Sequence, residues 1–222
     1  ENVTVVLSEK GWVKAAKGHE IDSSALNYKS GDAFLKEAKG RSNKMAFFID
    51  SSGRSYTLLA NSLPSARGQG EPLTGRLTPP IGAEFIDVVM GDDEQLVILS
   101  SDAGYGFIST LGDLQSKTKS GKHAITLSKE AKTMRLTKVQ NLESDYLAVI
   151  TNRARLLIFQ VSELPHLSKG KGNKLINIKT DDFVAKEEFL IGLCIIKENQ
   201  KLRVEYGNGK KHKQYSFSDL VN

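Results

Sequence analysis

Lysine and glycine alternate over a short stretch near residue 170, where LSKGKGNKLINI spans residues 167–178. Two kinds of site use these residue types together. A glycine loop can place backbone N–H groups against the phosphates of a nucleotide, whereas a row of lysines can bind a larger polyanion along a surface. A nucleotide loop requires GxxxxGK[ST], or GxGxxG between a strand and a helix, and this stretch matches neither. Its meaning therefore depends on whether it recurs.

Other chemistry is not indicated by the sequence. The four histidines lie far apart, with no Cys or His partner at the spacing of a zinc site, and no GxSxG nucleophile motif occurs. Paired carboxylates such as Asp92 and Asp93 fall in a polar segment, where solvation is their simplest role. We therefore expect no catalytic residue, no metal site and no cofactor, and we do not expect this chain to be an enzyme.

Charge is unevenly distributed along the chain, whose net charge is +5. Residues 117–138 contain seven Lys or Arg and one acid, residues 167–179 contain four Lys and no acid, and residues 201–213 contain five basic residues and one acid. Residues 82–94 contain five acids and no base, and residues 181–188 carry a net charge of −3. This segregation predicts one basic and one acidic face.

A hairpin-like unit recurs through the sequence. Five segments consist of an apolar arm, a short polar turn and a second apolar arm: VTVVLSEKGWV, MAFFIDSSGRSY, LVILSSDAGYGF, LAVITNRARLLIF and LCIIKENQKLRV. Their turns are anchored, 42 to 51 residues apart, at Gly11, Gly53, Gly104, Ala154 and Gln200. This pattern is typical of β-hairpins, so we predict five copies of one β unit.

A basic, glycine-rich loop follows three of these hairpins. The loops read SLPSARGQG, DLQSKTKSGK and ELPHLSKGKG, and each runs into a further apolar strand. Counted from the turn anchor, the glycines align at Gly70, Gly121 and Gly170, at offsets of 17, 17 and 16 residues. The first unit has only the short AAKGHEI here, and the fifth has YGNGKKHK. The stretch around residue 170 is thus one member of a series.

About 45 residues per unit, with several short strands each, is the spacing of blades arranged around an axis. We predict an all-β fold and a single domain over residues 1–222. The predicted blades lie near residues 1–40, 41–90, 91–140, 141–185 and 186–222. Helical patterning is weak, and residues 31–40 fit a short helix and a strand equally well.

Equivalent loops of blades placed around an axis would lie on one rim and form a curved positive band. Such a band could neutralise the phosphates of duplex DNA without reading any base, and the glycines would let backbone N–H groups approach phosphate oxygens. The candidate phosphate contacts are Lys14, Lys17, Arg41, Lys44, Arg54, Arg67, Arg76, Lys117, Lys119, Lys122, Lys169, Lys171 and Lys174.

Aromatic residues near the turns could either stack on bases or fill the blade cores. Trp12, Tyr56, Phe107 and Phe159 alternate with other apolar residues in predicted strands, which favours the cores. The single Cys194 lies in the apolar run FLIGLCII, where we expect a buried, reduced thiol.

No apolar run approaches the ~18 residues of a membrane helix, and the sequence ENVTVVLSEKG has neither a basic leader nor a small-residue cleavage site. We therefore expect a cytoplasmic protein, or a fragment of one, with no membrane partner.

Several runs closely resemble one known family. TVVLSEKGWVKAAKGHEID, SLPSARGQGEPLTGRL, SDAGYGFIST and LPHLSKGKGNKLINI are similar to the C-terminal domain of the A subunit of bacterial DNA topoisomerase IV, which is related to the same domain of gyrase. The resemblance implies a five-bladed β-pinwheel, a propeller-like disc of four-stranded blades in which neighbouring blades exchange strands. Whether the ring of blades is open or closed is left undecided.

The resemblance also implies a function. The domain would bind and bend double-stranded DNA near the nucleoid, present it to a cleavage core, and tune the preference between decatenation and relaxation. The catalytic tyrosine of this ATP-dependent enzyme, used in chromosome segregation, would lie outside this chain. Implied partners are the remainder of the homodimeric A subunit, the ATPase-bearing B subunit, and condensin. Residues 13–18 keep two lysines and one glycine of gyrase's QRRGGKG box but lack its arginine pair, which argues against gyrase-like wrapping. The alternative is a protein-docking propeller that recruits a partner in chromosome organisation.

Overall fold

A computed structural model describes residues 1–220, and β-strands make up most of its regular structure. The strands are β1 (Asn2–Ser8), β2 (Trp12–Lys17), β3 (Phe34–Arg41), β4 (Met45–Asp50), β5 (Arg54–Leu59), β6 (Glu71–Pro72), β7 (Phe85–Met90), β8 (Leu96–Ser100), β9 (Tyr105–Thr110), β10 (Lys122–His123), β11 (Thr137–Lys138), β12 (Tyr146–Thr151), β13 (Leu156–Gln160), β14 (Asn173–Lys174), β15 (Leu190–Ile196), β16 (Lys201–Tyr206) and β17 (Lys211–Ser216). Three short helices are present in this range, α1 (Leu111–Leu114), α2 (Thr180–Val184) and α3 (Phe217–Leu220). Four single 3-10 turns complete the described elements, at Ser23–Ala25, Ala60–Ser62, Leu73–Gly75 and Val161–Glu163.

The first four predicted hairpins are confirmed. β1 pairs with β2, β4 with β5, β8 with β9 and β12 with β13, all antiparallel. On its other side, the first strand of each hairpin pairs with a later strand, β3, β7, β11 or β15. Residues 31–40, whose sequence fits a helix and a strand equally well, contribute to the strand β3. Neighbouring sheets meet at these later strands, since β3 contacts β7 and β11 contacts β15.

Three of the sheets gain a fourth strand from the next unit of the chain. The two-residue strands β6, β10 and β14 pair with β2, β5 and β9 respectively. Each therefore closes the edge of the preceding hairpin that lies furthest from the inner strands. This is the exchange between neighbouring blades that distinguishes a pinwheel from a simple propeller.

Each exchanged strand follows a residue with positive φ, at Gly70, Gly121 and Gly172. The predicted equivalence of Gly170 is therefore wrong, and the series ends at Gly172. At Gly172 a Cβ atom would lie 2.0 Å from the carbonyl oxygen of Gly106, so any other residue would separate β14 from β9.

The prediction of five four-stranded blades is wrong, because residues 1–220 form four blades. β15 does not form a hairpin with β16 across residues 197–200; it pairs with β12 as the inner strand of the fourth blade. In the part of the chain that the structure describes, β16 pairs only with β17. The fourth blade itself has three strands, β13, β12 and β15. The YGNGKKHK segment forms the β16–β17 turn and the start of β17 instead of an exchanged strand, so within residues 1–220 nothing pairs with the outer edge of β13.

Apolar side chains fill the spaces between adjacent sheets. The alternation of a strand sends neighbouring residues to opposite faces. Phe48 of β4 accordingly packs with Val5, Leu7 and Tyr56 between the first two blades, whereas Phe47 packs with residues of the third blade. Sheets buried on both faces hold the blades side by side. The β16–β17 hairpin packs against the free face of the fourth blade in a smaller cluster around Ala148 and Leu202.

Candidate nucleic-acid interface

The basic loops of the second and fourth units run along the outer edges of the preceding blades in the same way. In the first blade, the Ala15 N–H donates to the Pro64 carbonyl at 2.8 Å and the Ala66 N–H donates back to Ala15 at 2.9 Å. In the third blade, the N–H of Ile108 donates to Pro165 at 2.9 Å, and that of Leu167 donates back at 2.9 Å.

The loop of the third unit lies along β5 of the second blade. There the Ser116 N–H donates to the Thr57 hydroxyl at 2.7 Å, and Lys122 pairs in register with Ser55. The three loops, residues 65–70, 115–121 and 166–172, therefore occupy equivalent positions on three successive blades. We call them the rim loops.

Most of the predicted contact residues are exposed. The exposed ones are Lys17, Arg41, Lys44, Arg67, Lys117, Lys119, Lys169, Lys171 and Lys174. Two of these form ion pairs at the surface, Lys17 with Glu1 at 3.7 Å and Lys44 with Asp92 at 3.1 Å. Exposed pairs of this kind are weak, so both ammonium groups remain accessible to a competing phosphate.

Three other predicted residues anchor the loops. The Arg54 guanidinium donates to the carbonyls of Ser120 at 2.8 Å and Gly121 at 3.0 Å. Arg76 forms an ion pair with Glu71 at 2.8 Å, and Lys122 donates to the Asp113 carbonyl. These side chains are half-buried and fix the backbone that carries the exposed cations.

Lys14 is withdrawn from the surface, with only 2% of the residue exposed. Its ammonium donates to the Asn27 carbonyl and lies 4.0 Å from the centre of the Tyr28 ring. Burial lowers the pKa of Lys14, and the charge of Asp32 opposes that change. Burial also raises the pKa of Tyr28, to about 12. Lys14 thus secures the segment that follows β2 and does not face solvent.

Residues from two neighbouring units meet to form a cationic cavity of ≈ 400 Å³ beside the rim loop of the third unit. Its lining includes Arg76, Lys117 and Lys119, with the polar residues Ser116 and Thr118 and no acidic residue. At this cavity the structure brings together predicted contact residues from the second unit, Arg76, and the third, Lys117 and Lys119.

Two aromatic residues hold lysines at equivalent positions on the rim. Tyr105 pairs in register with Lys174, and Trp12 occupies the same place opposite Pro72. The Lys171 ammonium lies 4.1 Å from the centre of the Tyr105 ring, and that of Lys29 lies 5.0 Å from the centre of the Trp12 ring. A cation over an aromatic face is attracted to the ring, so both ammonium groups are positioned at the surface.

Lys29 was not among the predicted contacts, because it lies 17 residues beyond Trp12 in a segment that matches none of the basic loops. The available signal was the shared position of Trp12 and Tyr105 after their turn glycines. Among the other aromatics, Tyr56 and Phe107 fill cores as predicted, and the half-buried Phe159 packs against a core, whereas Trp12 is half-buried beneath Lys29.

The predicted acidic face is only partly formed. Asp87 is fully buried, and Glu188, also buried, forms an ion pair with Arg155 at 2.7 Å. Asp92 remains exposed. Each acidic segment, residues 82–94 and 181–188, therefore has one carboxylate buried in the interior and not on the surface. Cys194 is exposed, so the expectation of a buried thiol is wrong, although its pKa is raised by partial burial.

Among residues 1–220, no group of three or more His, Cys, Asp or Glu side chains is arranged to hold a metal ion. No helix in this part of the chain is both long and apolar enough to span a bilayer.

Comparison with known proteins identifies the family. Residues 95–139 and 145–186 match the family model described as DNA gyrase C-terminal domain, beta-propeller. The chain is 53% identical over 207 residues to the A subunit of DNA topoisomerase 4 from Pseudomonas aeruginosa, covering 93% of this chain and 28% of the relative. For the Escherichia coli K12 protein the identity is 48% over 210 residues, covering 95% and 28%. The chain thus spans little more than a quarter of these relatives.

Solved structures give the same result over nearly the whole chain. The E. coli ParC C-terminal domain is 46% identical and has a TM-score of 0.90, with 99% of this chain and 88% of that chain covered. A DNA gyrase A C-terminal domain, at 16% identity and a TM-score of 0.69, shares the fold, with 99% and 73% covered. The chain belongs to the family of C-terminal domains found in the A subunit of DNA topoisomerase 4.

Proposed function

We propose that this chain is a single, non-catalytic DNA-binding and DNA-bending domain of a type IIA topoisomerase. It holds a segment of double-stranded DNA on the rim loops and presents it to the cleavage core. The observation that supports this most directly is the equivalent placement of three basic loops on the outer edges of three successive blades.

The rim loops suit duplex DNA because their cations are exposed and spread over several blades. Each phosphate neutralised releases counterions, which favours binding regardless of sequence. Bending 20 to 30 base pairs by 40 to 90° costs about 1 to 6 kcal/mol, so contacts on more than one blade are needed to offset it. Lys29, positioned over Trp12, adds a further proposed contact on the first blade, beside the rim loop of residues 65–70. Arg54, Arg76 and Lys122 support the loops from behind.

The proposed biological role follows the family. The domain would work with the remainder of the homodimeric A subunit, with the ATPase-bearing B subunit, and with condensin as a further partner near the nucleoid in the cytoplasm. It would tune decatenation and relaxation in chromosome segregation. The first blade offers no arginine pair, and its Lys14 is buried, which supports a role without gyrase-like wrapping.

The test is a titration of a 30-base-pair duplex, labelled at both ends for fluorescence transfer, at about 50 and 200 mM salt. We expect Lys169→Glu/Lys171→Glu to weaken binding to all sequences alike and to reduce the salt slope by about 2. The matched control is Lys210→Glu/Lys211→Glu, which makes the same charge change on the exposed β16–β17 turn.

Three results would overturn the proposal. These are binding without a change in end-to-end distance, an unchanged salt slope for the rim variant, and equal losses in the rim and control variants. Absence of DNA binding at about 50 mM salt would favour the docking alternative.

A further inference from the structure

A second cavity lies among the inner strands, away from the rim loops. It has a volume of ≈ 540 Å³ and is lined by Lys36 of β3, Ile86 of β7, residues 133–137 leading into β11, and residues 191–193 of β15. All four blades therefore contribute to it through their inner strands. We call it the central cavity. Its volume is in the range of small-molecule sites and far below that of a DNA duplex.

A buried carboxylate lies beside the central cavity. Asp87 is fully buried and accepts hydrogen bonds from the N–H groups of Val88 at 2.9 Å and Leu136 at 2.8 Å. The carboxylate also forms an ion pair with the ammonium of Lys36 at 3.6 Å. Burial raises the pKa of Asp87, while Lys36, both N–H donors and Arg135 act in the opposite direction. One carboxylate is thus shared among several positive groups.

Positive charge exceeds negative charge around this carboxylate. The Lys138 ammonium donates to the Met90 carbonyl. Burial lowers the pKa of Lys138, the nearby charge of Lys36 lowers it further, and the charge of Asp87 raises it. The Arg135 guanidinium makes no hydrogen bond or ion pair to any residue between 1 and 220, and it lines the central cavity. Asp87 therefore interacts with three cationic side chains, those of Lys36, Lys138 and Arg135.

We infer that the central cavity binds a small phosphorylated organic anion, with its phosphate at Lys36 and Arg135. Cations in a partly enclosed cavity concentrate the field on a ligand of opposite charge, and a guanidinium can bind phosphate oxygens with two parallel hydrogen bonds. Thr133 and Thr137 add hydroxyl groups to the lining, whereas Met134, Ile191 and Leu193 give it an apolar wall that suits a nonpolar or aromatic part of the ligand. This site is distinct from the proposed DNA surface.

Calorimetric titration of the purified chain with inorganic pyrophosphate and with metal-free adenosine triphosphate tests the inference. We expect Arg135→Gln to weaken binding of both anions by about 10- to 100-fold, the loss expected for a charged hydrogen bond. Because Arg135 is exposed, the variant should fold, which its thermal unfolding will verify. The matched control is Arg67→Gln, which removes an exposed guanidinium from a rim loop.

A second variant tests the apolar wall. Ile191→Ser should weaken adenosine triphosphate binding while leaving pyrophosphate binding unchanged, and a saturating DNA duplex should displace neither anion. No binding to the wild type, equal affinity in Arg135→Gln, an equal loss in Arg67→Gln, or displacement by the duplex would each overturn the central site. Equal affinity of the wild type for the two anions would overturn the assignment of an organic ligand.

Discussion

Replacing Gly172 by alanine should detach the rim loop of the fourth unit from the third blade. Gly172 has φ +78°, and a Cβ atom there would lie 2.0 Å from the Gly106 carbonyl oxygen and 3.1 Å from the Phe107 Cβ. The left-handed backbone alone costs an alanine about 1 to 2 kcal/mol. The contact with the carbonyl is closer than any relaxed structure permits, so β14 must also separate from β9.

The expected loss of unfolding free energy is about 3 kcal/mol, from the backbone cost plus the lost pairing of β14 and the displaced packing. Thermal unfolding of a chain of this length should then occur about 6 to 12 °C lower. Gly68→Ala is the matched control, since its φ is not positive and no atom lies within 4 Å of the added Cβ. Urea unfolding of the three proteins measures the difference.

The same substitution has a functional consequence that charge changes do not share. A detached loop should bind DNA less tightly although no cation has been removed, and Gly68→Ala should bind like the wild type. A Gly172→Ala protein within about 0.5 kcal/mol of wild-type stability would refute the argument, because the exchanged strand would then not depend on the close approach at Gly106.

Three further outcomes are expected. Ala154→Gly should raise the free energy of unfolding by about 0.5 kcal/mol, measured in urea, because Ala154 has φ +58° in a hairpin turn and the relieved strain exceeds the added flexibility of the unfolded chain. A loss of stability would contradict this. The hydrogen-bonded ion pair with Arg155 lowers the pKa of Glu188, so its contribution to stability should be complete above the carboxyl's ordinary pKa and disappear as the pH falls through the lowered value; acid unfolding of Glu188→Gln should lack this step, and an identical pH profile would refute it. Tyr105→Leu should weaken DNA binding about two- to fivefold by freeing Lys171, whereas Tyr105→Phe should retain it; equal losses in both variants would exclude the ring contact.

The hairpins could be predicted because their information is local. An apolar arm, a polar turn and a second arm lie within about a dozen residues, and their pairing follows from that proximity. The fifth hairpin failed for the opposite reason. β15 is followed by residues 197–200, which resemble a turn, yet its partner β12 lies about forty residues earlier. Strand pairing over that distance is decided by which edge is available, which the local pattern does not report.

The candidate site was predictable in outline and not in detail. The recurrence of the basic loops placed them at equivalent positions, which the hydrogen bonds to successive blades now show. Side-chain direction was not predictable: Lys14 reaches inward to Asn27, although Lys17 of the same strand is exposed. Lys29 approaches Trp12 from a segment without any recognisable motif. Both depend on how the residue 18–33 segment folds back on β2.

Strand exchange gives the rim loops a rigidity that ordinary surface loops lack. Each loop ends in a two-residue strand that belongs to the preceding blade, so its backbone is bonded at both ends to a sheet other than its own. A force on an exposed lysine is therefore transmitted to the contact between two blades. If DNA follows the rim loops, its curvature is set by the spacing of the blades, because moving one loop requires breaking β pairing. The DNA would then bend to fit the protein, because the blades deform less easily than the duplex.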